Sequence, residues 1–177
     1  KTRTLVPLAL AVAFATNASA ACLSDAQAAE LAAHYLLRQP AANPEGLSDA
    51  DGACTRAKLN ALLAPRLGKV VGYKAGLTNP AVQKRFNTDQ PVWGALYSAM
   101  ILNSGVTLDA GFGSRPLYEA DLLVRVKDKA INDAATPAQV LAQVDQVIPF
   151  IELPDLMVET PAKINGAVLS ALNDGTR

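Results

Sequence analysis

The chain has 177 residues, 50% of them hydrophobic and 18% charged, with 16 basic residues balancing 16 acidic ones. That is enough apolar material for one globular domain of ordinary size, and it excludes a disordered chain. A net charge of zero with four Phe, four Tyr and one Trp supplies neither a basic patch nor a stacking platform, so nucleic acid is not an expected partner.

Lys1 and Arg3 precede the apolar run "LVPLALAVAFA", which is too short to span a bilayer, and "NASA" follows with small residues around Ala20. Residues 1–20 therefore read as a secretion signal cut after Ala20. The mature chain is expected to be periplasmic or secreted and free of the membrane. In that compartment Cys22 and Cys54 could form a disulfide between two helices; a lipid anchor on Cys22 is the poorer alternative, because Ser19 stands where a large aliphatic residue is usual.

"SDAQAAELAAHYLLR" predicts an amphipathic helix, capped by Ser24 with Gln27, whose apolar face is Ala28, Leu31, Ala32, Tyr35 and Leu36. After the loop "QPAANPEG", Ser48 caps a second helix expected to end near Leu63, before Pro65. These helices make residues 21–68 an N-terminal helical cap. Residues 69–177 read as a β-rich part. It starts with the strand "KVVGYKAGL" and a short helix from Asn79 and Pro80. An apolar run in "PVWGALYSAMIL", a short strand "VTLD" before a Gly-rich turn, and the strand "YEADLLVRV" follow. Then come a helix from Thr136 to about Val147, the strand "VIPFIELPD" and a helix over "PAKINGAVLSALNDG". No repeat and no phosphate-binding glycine loop is present.

Successive strand side chains alternate between faces, so Glu119 and Asp121 point the same way. The bland reading is a wet sheet face opposite the apolar Ala120, Leu122, Val124 and Val126. Glu152 weighs against it, because a carboxylate flanked by apolar residues is costly unless paired or bound to a cation. Three converging carboxylates select a hard divalent ion. Lys74 shares a face with Gly72 and Gly76, where small neighbours leave room for a ligand. A lysine losing hydration there suits a general base or a donor to an enolate; a solvent-reaching lysine at a sheet edge is the alternative.

The stretches "GYKAGLTNPAVQKRF", "DQPVWGALY", "YEADLLVRV" and "IPFIELPD" closely resemble the fumarylacetoacetate hydrolase superfamily, in its 2-oxopent-4-enoate hydratase and 2-oxo-acid decarboxylase branch. The likeness runs from about Val70 to the end. It implies an α+β fold, a mixed rolled β-sheet domain with an N-terminal cap. Members continue beyond the position of Arg177, so the chain reads as C-terminally truncated, with 69–177 a partial catalytic domain. By position the likeness assigns Mg²⁺ or Mn²⁺ to Glu119, Asp121 and Glu152, and the active-site lysine to Lys74. It implies a metal-dependent lyase acting on a short unsaturated 2-oxo acid through a metal-chelated dienolate, in an aromatic-degradation setting. Homo-oligomers are compatible with it. Asp121 stands where the branch more often has glutamate. Two other readings are hydrolysis of an acylpyruvate, for which His34 is the lone histidine base, and an inactive periplasmic binding homologue.

Overall fold

The computed structural model describes residues 21–177, so the expected secretion signal lies outside it. Helix α1 (Asp25–Leu37) starts at the expected capping box, with Ser24 N–H donating to Gln27 Oε1 at 3.0 Å and Gln27 N–H to Ser24 Oγ at 3.3 Å. Ala28, Leu31, Ala32 and Tyr35 are its buried face, as the apolar spacing predicts, while Leu36 stays exposed. Helix α2 (Asp49–Leu67) begins at a Ser48–Asp51 box and runs through Pro65, past the expected end at Leu63. A proline in the last turn forgoes one helical hydrogen bond, and here the turn is still closed by Gly68 N–H donating to Ala64 O at 3.0 Å. Cys22 and Cys54 form the disulfide, with Cα atoms 5.4 Å apart, and Lys58 meets Asp25 at 2.7 Å beside it.

The strands form two antiparallel ribbons. Strand β1 (Val70–Gly76) pairs with β2 (Val92–Tyr97) across the short helix α3 (Pro80–Arg85), which Asn79 caps. Strand β3 (Glu119–Val126) pairs with β4 (Val144–Glu152), separated by helix α4 (Pro137–Ala142). Two expectations change between these elements. Residues 106–109 form no strand, because their backbone closes turns: Val106 N–H donates to Asn103 O at 3.3 Å and Phe112 N–H to Asp109 O at 3.0 Å. Helix α4 stops at Ala142, so β4 starts at Val144, earlier than expected.

The C-terminal segment is the other correction. One expected helix is instead a 3₁₀ turn (Pro161–Lys163), helix α5 (Gly166–Ala171) and a second 3₁₀ turn (Asn173–Gly175). Asn165 caps α5 through Val168 N–H, and Asn173 and Asp174 take left-handed φ values of 55° and 56°. Asn and Asp tolerate that conformation better than other side-chain-bearing residues. The broken helix lets this segment fold back into the core. Met157, Val158, Val168 and Leu172 pack with Leu31, Tyr35, Leu59 and Leu63 in one buried cluster.

Asp155, 1% exposed, fastens that segment. Its carboxylate accepts from Ser114 N–H at 2.9 Å, Arg115 N–H at 2.7 Å and Met157 N–H at 3.2 Å, and pairs with Arg177 at 3.2 Å. Arg177 in turn lies 4.4 Å from the Tyr35 ring centre and donates to Tyr35 O at 2.8 Å. Asp155→Ala strands a buried guanidinium and several main-chain donors, so it is expected to cost about 3 kcal/mol or more. Urea unfolding measures this; a shift below about 1 kcal/mol contradicts the role.

Candidate active site

The register of the second ribbon sets Glu119 directly opposite Glu152 and Asp121 opposite Phe150. Directly opposed residues share a face, so the three acids share one face of the ribbon. That face is the more buried one, with Leu123, Ile148, Phe150 and Glu152 half-buried, while Glu119 and Asp121 stay exposed. The apolar face expected to be buried points outward, with Leu122 and Ile151 each 62% exposed. The bland reading of the acids as simply the wet side of the sheet therefore fails for Glu152.

Lys74 of β1 reaches this acid face. Its Nζ pairs with Glu152, donates to the main-chain oxygen of Asp174 at 2.6 Å, and lies 3.9 Å from Asp174 Oδ2. The Lys74 and Glu152 side chains are each 14% exposed and that of Asp174 is 2% exposed. The chain itself fills the room that Gly76 provides: a Cβ there would lie 2.5 Å and 2.6 Å from the two carboxylate oxygens of Asp174. Gly94, paired with Lys74 across the first ribbon, has the same function, because its Cβ would meet the Asn173 carbonyl oxygen. Asn173 then copies a strand edge. Its side chain accepts from Ala95 N–H at 2.8 Å and donates to Ala95 O at 2.9 Å.

Asp174 is the residue that sequence reasoning missed. It lies 100 positions from Lys74, and its only local signal is the turn-forming "NDG". Burial pushes its carboxyl up to about 7, with the nearby Glu152 and Glu119 adding to the rise and Lys74 opposing it. One buried carboxylate oxygen, Asp174 Oδ2, has no hydrogen-bond partner and lies 3.9 Å from Lys74 Nζ.

The expected cage of three carboxylates is not drawn together. Among the described residues no group of three or more His, Cys, Asp or Glu side chains is gathered closely enough to hold a metal ion. The physical reason is local. Glu152 is engaged by the Lys74 ammonium, and the exposed Asp121 turns its Oδ1 to Leu122 N–H at 2.7 Å. The donor chemistry still fits a hard divalent cation: two carboxylates face each other across one ribbon and a third follows on the same side. His34 lies in the last turn of α1 and takes no part in the bonds around Lys74.

No family model matches the sequence. The chain is 32% identical over 87 residues to the 2-keto-4-pentenoate hydratase of Burkholderia vietnamiensis, covering 49% of this chain and 33% of that protein. It is 29% identical over 131 residues to the 4-oxalocrotonate decarboxylase of Pseudomonas putida, covering 74% of this chain and 49% of the relative. The solved 4-oxalocrotonate decarboxylase of Pseudomonas putida G7, complexed with magnesium and adipate, superposes with a TM-score of 0.74 at 24% identity, over 86% of this chain and 59% of that one. The same enzyme complexed with calcium and acetate gives 0.68 at 23% identity. The chain is similar to these hydratases and decarboxylases. The likeness carried by the four motifs is thus to that branch of the fumarylacetoacetate hydrolase superfamily, and the α+β fold is the decarboxylase's. The chain spans about a third to a half of the length of the curated relatives it matches.

The raised Asp174 carboxyl makes stability depend on pH. The folded chain holds that proton up to about 7, against 3.8 for the free side chain. Its favourable contribution is therefore full below pH 3.8 and lost as pH rises through 7. Asp174→Asn is neutral at every pH. It is expected to exceed the parent in stability at pH 8 by on the order of 2 kcal/mol, with the gap closing toward pH 4. Thermal unfolding at both pH values reads the difference; an equal gap at both removes the linkage.

Proposed function

We propose that this chain carries the acid face and lysine of a divalent-cation-dependent lyase acting on a short unsaturated 2-oxo acid. The observation that carries the reading is Lys74 held against Glu152, with Glu119 directly across the ribbon from it. The relatives named as hydratases and the magnesium-complexed decarboxylase neighbour support it. Glu119, Glu152 and Asp121 are the residues that would hold Mg²⁺ or Mn²⁺. When bound, such a cation stabilises negative charge developing on oxygens of the acid.

The chain's own groups supply the rest. The Lys74 ammonium offers three donors on a stem fixed by its partners, so it can hold a substrate carboxylate or pass a proton at Nζ. Half-buried Phe150, Ile148 and Leu123 share the face with the acids. The Lys74 and Glu152 side chains are largely out of water, which strengthens the interaction between them. Addition of water and loss of carbon dioxide both place negative charge next to the 2-oxo group, so one face serves either outcome. Decarboxylation is the second reading, favoured by the longer match to the decarboxylase. Hydrolysis through His34 has no support in the site. Export is likewise our proposal, resting on residues 1–20 and on the Cys22–Cys54 disulfide, which persists in oxidising compartments.

Mn²⁺ titration by calorimetry tests the cation site. Glu119→Gln and Glu152→Gln are each expected to weaken binding by about tenfold or more. Incubation with Mg²⁺ and a 2-oxo-4-enoate, followed by ultraviolet absorbance, tests the chemistry. Loss of the conjugated absorbance supports the lyase; binding of the acid without turnover identifies a binding homologue instead.

A further inference from the structure

The lysine has more acid around it than one ion pair requires. Glu152 and Asp174 approach the same ammonium from different elements, β4 and the C-terminal turn. Only Glu152 belongs to the acid face, where it opposes Glu119. Asp174 enters through the space above Gly76 and presents both its main-chain oxygen and its carboxylate to Lys74. A divalent cation at the acid face and the Lys74 ammonium therefore compete for one carboxylate. The ion carries twice the charge and draws Glu152 more strongly. An ammonium released into a buried site is costly unless another acceptor is at hand.

We propose that Asp174 is that acceptor: a positioning residue that takes up the Lys74 ammonium when a divalent cation engages Glu152. It keeps the lysine charged and in place beside the acid face. The proposal rests on the cation reading above. It explains why an acid is buried next to a lysine that already has a partner, and why Gly76 carries no side chain. One oxygen of Asp174 lacks a hydrogen bond while Lys74 is on Glu152, as expected of an acceptor whose partner arrives only on exchange.

Mn²⁺ calorimetry on the parent and four variants tests it. Asp174→Asn is expected to weaken binding by about fivefold, because the lysine then competes for Glu152 with no alternative. Gly76→Ala, which keeps the charge but pushes the Asp174 carboxylate aside, shifts affinity in the same direction. Lys74→Met strengthens binding by removing the competitor. In the Lys74→Met background the added Asp174→Asn change is expected to fall within about twofold, since the pair acts through one lysine. An undiminished loss in that background, or no loss from Asp174→Asn alone, overturns the proposal. A parent chain that binds no Mn²⁺ overturns the cation reading itself, and the proposal with it.

Discussion

The shielded charge at Lys74 is what the rest of the site depends on. Its ammonium joins β1 to β4 through Glu152, and β1 to the C-terminal turn through Asp174. Taking such groups out of water costs several kcal/mol per ion, and a single pair only partly recovers it. Here one cation faces two acids at close range, with the charges of Glu119 and Arg56 also felt at Asp174. Burial is the main cause of the raised Asp174 carboxyl, and the Glu152 and Glu119 charges add to it against Lys74 and Arg56. The contact of Lys74 with Glu152, with Glu119 directly across the ribbon, is the physical basis of the functional reading.

A cluster of this kind needs a rigid frame, and the frame is the C-terminal segment. Asp155 collects three main-chain donors and the Arg177 guanidinium, which rests on Tyr35 of α1. Between those anchors, the turn at Asn173 and Asp174 presses onto the first ribbon at two glycines, Gly76 and Gly94. Any side chain at Gly94 would collide with backbone, which cannot move aside as the tip of a side chain can. The packing that buries Leu172 thus places Asp174 beside Lys74, so core formation and site assembly are one event.

Local signals made much of this legible. The caps at Ser24, Ser48, Asn79 and Thr136 depend on residues a few positions apart, and the structure has all four. The acid-x-acid spacing of Glu119 and Asp121, and Glu152 among apolar neighbours, are period-two patterns within single strands. Which face turned inward was not legible. Alternation separates two faces but does not choose between them when both carry apolar residues, and the exposed Leu122 and Ile151 show the choice going against hydropathy. Asp174 was hidden for a related reason. Its position depends on two consecutive left-handed residues and on packing against elements 100 positions away, neither of which leaves a periodic trace.

Register then decides the chemistry. Shifting one strand of the second ribbon by a single residue would carry Glu119 or Glu152 to the opposite face, because the side-chain period is two. The far end of the ribbon guards against this. The pairing shifts between Arg125 and Val126, leaving Asp145 as the extra residue of a bulge, and Arg125 grips that aspartate through two contacts of 2.9 Å. Both side chains are substantially exposed, so the pair adds little to stability. Its geometric value is larger. A bidentate guanidinium–carboxylate contact fixes direction as well as distance, and a bulge does not slide along a ladder without breaking it. The weak surface pair at one end of the ribbon thereby holds in place, six residues along β3, the opposed carboxylates on which any cation chemistry depends.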